Sequence, residues 1–390
     1  METEVVIVGA GLVGASLACA LADAGVGNVL VDSRASVAMP DEAFDQRVYA
    51  IRPGSVSFLR RCGIWSKVDP ERVCPVHEMA VFGDRGARLA FDALSAGLPA
   101  LAFIVEDANL QRAALAALGE RPLATHLSDR RCRDATWDDD GVRIVLDDAT
   151  QVTAGLAVAA DGAESRLRAL AGIEPQVRPY PQRAVVANFE ATKPHRNVAY
   201  QWFRADGVLA MLPLPGERVS MVWSTSPEHA EELVALSLPA LADRVAAASG
   251  AVLGELRAAG PAAAFPLRLM RVRRVVAPRL VLMGDAAHTV HPLAGQGLNL
   301  GLADAAELAR LVASRLPAEP VWSSALLARY RRSRAEEVAA MQLVTDGLHL
   351  LFETHLPGAA WLRNTGLRIT DRLSPIKRVL MKRAAGEAVE

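Results

Sequence analysis

The chain has 390 residues, 51% hydrophobic and 22% charged, the makeup of a soluble globular protein of about two domains. A formal net charge of −1 gives no electrostatic reason to expect nucleic acid as a partner. The four cysteines, Cys19, Cys62, Cys74 and Cys132, form no C-x-x-C pair and no cluster with histidine, so reduced thiols of a cytoplasmic protein are expected, not a metal or redox pair.

Residues 5–22 carry no charge over 18 positions, long enough to raise the question of a membrane span or signal peptide. The preceding residues are Glu2 and Glu4, not a basic region, and glycines stand at 9, 11 and 14. A buried strand over 5–8, turning at Gly9 into a helix from Val13 to Ala22, accounts for the run better. A second strand over 28–31 ends on Asp32, 18 residues after Gly14. Strand, Gly9-x-Gly11-x-x-Gly14, helix, strand and acid together form a dinucleotide-binding unit. In that reading Gly9 permits the tight turn, Gly11 lets backbone approach a pyrophosphate, and Gly14 lets helix pack on strand. The helix N-terminus faces the phosphates, and Asp32 accepts from ribose hydroxyls. An acid at 32 repels a 2′-phosphate, so the site suits FAD or NAD, not NADP.

Residues 156–160 read as another buried strand closing on Asp161-Gly162, with a helix opening at Ser165. Asp-Gly is also a common turn after any strand. Short strands over 184–190, 198–204, 207–212 and 218–224, with turns at 205–207 and 215–217, predict an antiparallel meander. Its apolar members Trp202, Phe203, Met211, Leu212, Pro213 and Trp223 suit either an aromatic substrate or simple sheet core. A strand over 279–283 then runs into Gly284-Asp285, followed by Ala286-Ala287-His288-Thr289-Val290-His291-Pro292-Leu293-Ala294-Gly295-Gln296-Gly297-Leu298-Asn299. A helical pattern follows, with Leu298, Leu302, Ala305 and Leu308 on one face. Pro292, Gly295 and Gly297 leave room for backbone against a flat ligand. A helix starting at Gly297, Leu298 and Asn299 aims N–H groups at that ligand, stabilising negative charge on a reduced flavin. Three glycine-bearing segments in this order point to FAD, held by a chain that crosses one site three times.

His288 and His291 could be read as a metal pair, but no third ligand stands near apart from Asp285; proton transfer beside a flavin is the alternative. The basic run from Arg329 to Arg334 reads as a solvated helical face before a binding patch. A long helix is expected over 326–349. The tail mixes Lys377, Arg378, Lys382 and Arg383 with apolar residues, as in a helix packed on the domain or one in peripheral contact with a membrane or partner enzyme.

The stretch from Gly284 to Asp304 resembles the signature of the FAD-dependent hydroxylases of ubiquinone biosynthesis (the UbiH, UbiF and VisC type), which are single-component aromatic hydroxylases similar to para-hydroxybenzoate hydroxylase. The likeness covers almost the whole chain. It includes Asp45-Gln46-Arg47-Val48-Tyr49-Ala50-Ile51, Val105-Glu106-Asp107-Ala108-Asn109-Leu110-Gln111, Leu362-Arg363-Asn364 and 371–377. It implies that Gly9, Gly11, Gly14 and Asp32 hold the ADP half of FAD and that Arg47 contacts the flavin or ribityl phosphate. Gly284-Asp285 would take the ribityl hydroxyls, with Asp161 and Gly162 serving FAD and a transient NAD(P)H. Pro292, Gly295, Gly297, Leu298 and Asn299 would frame the ring. Asp32 stands where a glutamate is usual, and Asp107 where Asn, Gln or Arg is common.

The expected fold is α/β, a Rossmann-like FAD-binding domain interleaved with an antiparallel-sheet substrate domain and a C-terminal helical region. The pieces are 1–75, 100–180 and 265–330 for FAD, 76–99 and 181–264 for substrate, and 331–390 for the helices. The implied activity is monooxygenation of an aromatic ring, a prenylated phenol of ubiquinone biosynthesis, by O2 through a flavin hydroperoxide after reduction by NAD(P)H. The chain would be cytoplasmic, with room for association at the inner membrane or in a biosynthetic complex. An FAD dehydrogenase without oxygen transfer, or a non-catalytic flavoprotein scaffold, would share the three motifs.

Overall fold

A computed structural model describes residues 1–35, 44–84, 86–290 and 296–353, together with Met381, Ala385 and Gly386. The first sheet has a parallel core in the order Leu280–Leu282, Gln151–Ala159, Glu2–Val8, Asn28–Val31 and Ala124–Leu127. The inner strands are apolar on both faces because both are covered, whereas the edge strand Ala124–Leu127 is only half-buried. Val5, Ile7 and Leu30 pack against the helices Leu12–Asp23, Asp107–Leu118 and Gly297–Ala313. Val6, Val8 and Val31 face the hairpin of Cys132–Trp137 and Val142–Leu146. The uncharged run at 5–22 is therefore strand plus helix, and no helix among the described residues is long and apolar enough to cross a membrane.

Register does the work of assembling the site. Val8 pairs with Val31 and with Ala159, and Ala159 pairs with Leu282. Three neighbouring strands thus end at one level, and each runs at once into its glycine turn, at Gly9, Asp161-Gly162 and Gly284. Open parallel sheets bind ligands at these carboxyl ends.

The second sheet runs His288–Thr289, Ala263–Val272, Pro175–Ala191, Arg218–Thr225, Gly207–Leu214, Val198–Arg204, Glu78–Phe82 and Arg88–Asp92. The expected plain meander holds only from Val198–Arg204 to Arg218–Thr225. Pro175–Ala191 pairs with Arg218–Thr225, not with the strand that follows it, and Val198–Arg204 pairs in parallel with Glu78–Phe82. Hairpin turns fix nearest-neighbour pairing locally, whereas these two contacts join segments far apart in sequence. The limits drawn at 181 and 265 fall inside strands of this sheet. A small sheet of Val48–Ile51, Ala102–Glu106 and Val73–Val76 bridges the two large ones. All four cysteines are buried and free, and burial lifts the Cys19 and Cys74 thiols to about 11.

Candidate flavin site

The first turn is built by steric exclusion. Gly9 has φ +105°, and a Cβ there would lie 2.2 Å from the Ala160 carbonyl oxygen. A Cβ on Gly14 would lie 2.0 Å from the Gly9 carbonyl oxygen. Gly11 differs: it lines the large cleft, and a Cβ there would meet no protein atom within 4 Å. Gly11 caps the helix Leu12–Asp23 without any side-chain hydrogen bond, which leaves first-turn amides and the helix's positive end facing the cleft. The turn is held from both sides of the Ala10 residue. Ala10 N donates to Asp32 Oδ2 at 2.6 Å, and Gln111 Nε2 donates to the Ala10 carbonyl. Asp32 also accepts from the Arg34 amide at 2.7 Å and from its guanidinium at 3.2 Å. Burial pushes the Asp32 carboxyl up, but the Arg34 hydrogen bonds outweigh it and keep the group below the usual carboxylate range.

The second turn pairs Gly162, at φ +84°, with Asp161. Asp161 accepts from Ser165 Oγ at 2.5 Å and from the Leu167 amide at 3.1 Å, and so supports the first turn of the helix Arg166–Leu170, whose N-cap is Ser165. Burial raises its pKa against those donors. The buried Arg168 donates to the Ala163 carbonyl at 2.9 Å and the Ala286 carbonyl at 3.0 Å, tying the second turn to the third.

In the third turn Gly284 has φ +55°, and its amide donates to Asp304 Oδ2 at 2.9 Å. The same carboxylate oxygen lies 2.8 Å from His288 Nε2, and Oδ1 accepts from Arg334 Nε at 2.7 Å. Burial lowers the His288 pKa, but attraction and hydrogen bonding from Asp304 raise it by more. His288 is thus a buried partner of Asp304, and His291, Pro292 and Gly295 lie outside the described residues. Gln296, Gly297 and Leu298 open the helix Gly297–Ala313 at the cleft wall, with no side-chain cap on its amides. Asn299 does not reach the cleft wall: it is buried, accepts from the Arg52 amide at 3.0 Å and donates to the Ala50 carbonyl at 2.8 Å. It steadies the end of the strand Val48–Ile51, which Arg47 directly precedes.

Asp285 is open to the cleft yet lies deep between its walls. Those walls desolvate it and raise its pKa, opposed by His288, Arg268 and Arg47. A carboxyl whose folded pKa is raised favours the protonated fold; its contribution is complete below the ordinary 3.8 and is lost as pH climbs through the folded value. Asp285→Asn removes that loss. The cofactor-free variant should melt above the wild type at neutral pH, with the gap closing on acidification, as read by thermal denaturation of both proteins along a pH series.

Arg47 and Asp107 face each other across the cleft rim, 3.7 Å apart, with Arg47 61% exposed and thus free to turn towards a ligand. Beneath them Glu106, fully buried, accepts from Arg72 Nε and Nη2 at 2.7 and 2.8 Å and from the Asp45 amide at 2.5 Å.

The cleft holds about 2260 Å³, well beyond the roughly 300–1,000 Å³ of ordinary ligand pockets, enough for a large cofactor and a second molecule together. The second sheet walls it mainly with small and aliphatic groups, among them Val186, Ala199, Ala210, Leu212 and Val222, with the amide of Gln201 between them. Of the apolar residues considered from sequence, only Leu212 lines the cleft. Met211 and Trp223 point to the opposite face, under the helices Pro227–Ala235 and Leu238–Ala248, as strand alternation dictates. Trp202 stacks between Phe82 and Tyr200, at 5.5 and 5.7 Å, and Phe203 packs on Val81 and Leu89.

A cleft with a glycine turn that leaves open space at Gly11, two helix starts without side-chain caps and an acid, Asp32, on its wall fits a flavin dinucleotide. A model of the FAD binding domain family matches residues 2–345. Ubiquinone hydroxylase UbiL of Rhodospirillum rubrum is 37% identical over 385 residues, 98% of this chain and 89% of that protein. The 3-demethoxyubiquinol 3-hydroxylase of Escherichia coli is 33% identical over 386 residues, 98% of each. The chain belongs to the FAD-dependent hydroxylases of ubiquinone biosynthesis. As a member of that family it is an FAD-dependent monooxygenase, which sets aside the reductase and scaffold alternatives. The p-nitrophenol 4-monooxygenase PnpA of Pseudomonas putida DLL-E4 shares the fold over all of both chains, with a TM-score of 0.80 at 18% identity.

Sequence reasoning passed over Gln111, Asp304 and Arg334. Asp304 carried a legible signal, being the one acid among Leu300, Leu302, Ala305 and Leu308 on an otherwise apolar helical face. Gln111 and Arg334 carried none, since each finds its partner far away in the chain.

Proposed function

We propose that this protein hydroxylates the ring of a prenylated phenol on the way to ubiquinone. The observation that carries the reading is the composition of the large cleft. Its nucleotide end is built of glycine turns and helix starts, and its remaining wall includes Val76, Met79, Phe91, Leu101, Met341 and Met381. An apolar wall of that extent suits a ring bearing a hydrocarbon tail.

When bound, FAD supplies the ring that accepts hydride from NAD(P)H and activates O2. The chain's own residues do the rest. Gly9, Gly11 and Gly14 with the first helix start cradle the pyrophosphate, and Asp32 takes the ribose. Asp285 accepts from the ribityl hydroxyls, and Asp161 with Gly162 shapes the turn beside it. Arg47 brings positive charge to the ring side, and the helix start at Gly297 and Leu298 donates amides where negative charge develops. The second sheet excludes water from the reacting ring. The division into a flavin part (1–75, 100–180, 265–330), a substrate part (76–99, 181–264) and a C-terminal helical part (331–390) follows the same assignment. Contact with the membrane that holds the substrate would come from the C-terminal part.

Deletion of the gene followed by mass analysis of the quinone pool tests the reading. A precursor short of one ring oxygen should accumulate; an unchanged quinone profile would sink the pathway assignment.

A further inference from the structure

The third glycine turn is held from a distance. Asp304, 1% exposed, fixes the Gly284 amide and His288 with one carboxylate oxygen and takes the Arg334 guanidinium on the other. Arg334 stands on the helix Ser324–Glu353 and pairs with Glu337, which accepts from Arg52 Nη2 at 3.1 Å. The Arg52 amide in turn donates to Asn299, whose side chain holds the Ala50 carbonyl. Asp304, Arg334, Glu337 and Arg52 therefore form one ladder of alternating charge, buried at its Asp304 end and half-exposed at Glu337. It starts behind Asp285, passes through the C-terminal helix and returns to the strand Val48–Ile51, which Arg47 directly precedes. Arg334 is not among the residues that line the cofactor cleft; it lines an adjoining groove of about 750 Å³, which shares Arg52, Ser333 and Glu337 with the cleft.

We propose that Asp304 and Arg334 are positioning residues for the flavin site, setting the Gly284-Asp285 turn from the C-terminal helix. The physical ground is that a buried carboxylate losing its guanidinium must seek other partners, and the partners at hand are the turn amide and His288. Any rearrangement then displaces the Asp285 carboxylate, while the apolar packing of the helices stays in place. Close packing sharpens the link. A Cβ on Gly301, one helical turn before Asp304, would lie 2.7 Å from Val13 and 3.1 Å from the Gly284 Cα, so the turn and both helices move together or not at all.

The inference rests on Asp285 being a flavin ligand, and a double-mutant cycle on FAD affinity separates the two. The FAD dissociation constant is measured by fluorescence titration of cofactor-free wild type, Asp285→Asn, Arg334→Gln and the double variant. Each single substitution should weaken FAD by tenfold or more. In the Asp285→Asn background Arg334→Gln should add less than twofold, because the group it positions is gone. A general loss of structure would instead give full, additive weakening in both backgrounds, and that result overturns the proposal. So does unchanged affinity in Arg334→Gln. If Asp285→Asn alone leaves affinity unchanged, the ligand assignment fails, not the ladder. Should Arg334→Gln not fold, Asp304→Asn with Arg334→Met removes both charges together and must show the same dependence on Asp285.

Discussion

Gly9→Ala should abolish the holoprotein and unfold much of the apoprotein. The added methyl would have to sit 2.2 Å from one backbone oxygen and 2.7 Å from the Asp161 Cα, and neither is the movable end of a side chain. Holding alanine at φ +105° costs about 1–3 kcal/mol, and overpacking a core adds roughly 1–3 kcal/mol more. The sum, about 2–6 kcal/mol, reaches the lower end of a domain's whole stability, about 5–15 kcal/mol. Relief would mean parting the first strand from Gln151–Ala159, and their register is what brings the first two turns to one level. Urea denaturation should therefore show a midpoint far below wild type, and the purified protein should be colourless. A wild-type midpoint would show that the strand ends are not pressed together as described.

The second large effect is expected at Glu106→Gln. Glu106 is fully buried and answers the Arg72 guanidinium with both oxygens. Removing its charge takes away the carboxylate that meets a mostly buried guanidinium with two hydrogen bonds, a change worth up to about 3–5 kcal/mol. The loss would not stay local, because Glu106 also holds the Asp45 amide, two residues from Arg47. Denaturation should show the loss of stability, and FAD titration of the fraction that stays folded should show weakened binding. Combining Glu106→Leu with Arg72→Met should recover most of the stability, because the pair is then replaced by apolar groups, but not the hold on Asp45.

Much of the site was legible because parallel strands, tight turns and helix starts leave local marks. The run 5–8, the glycines at 9, 11 and 14 and the acid at 32 each answer to a steric or electrostatic need within one short stretch. The second and third turns were found the same way, and each follows its strand as expected. What stayed hidden depends on partners far apart in the chain. Which face of the second sheet meets the cleft stayed open, because large apolar residues such as Met211 and Trp223 suit a core as well as a pocket, and alternation puts them in the core. Asn299 looked like a ring contact from its place in the loop, yet its side chain serves residues some 250 positions away. The pairing of Pro175–Ala191 with Arg218–Thr225, and the ladder from Asp304 to Arg52, are likewise contacts that no local pattern announces.

Whether the three strand ends hold one FAD is tested by Gly11→Ala. A Cβ at Gly11 meets no protein atom within 4 Å, so the apoprotein should melt as wild type does. The methyl does enter the cleft where the pyrophosphate would approach the helix amides. Loss of one or two charge-assisted hydrogen bonds, at about 1.5–3 kcal/mol each, should weaken FAD by roughly a hundredfold. Fluorescence titration of the two apoproteins with FAD reads this difference. Equal melting with a dissociation constant about a hundredfold higher is the predicted result; equal melting with an unchanged constant would contradict the placement of FAD in this cleft.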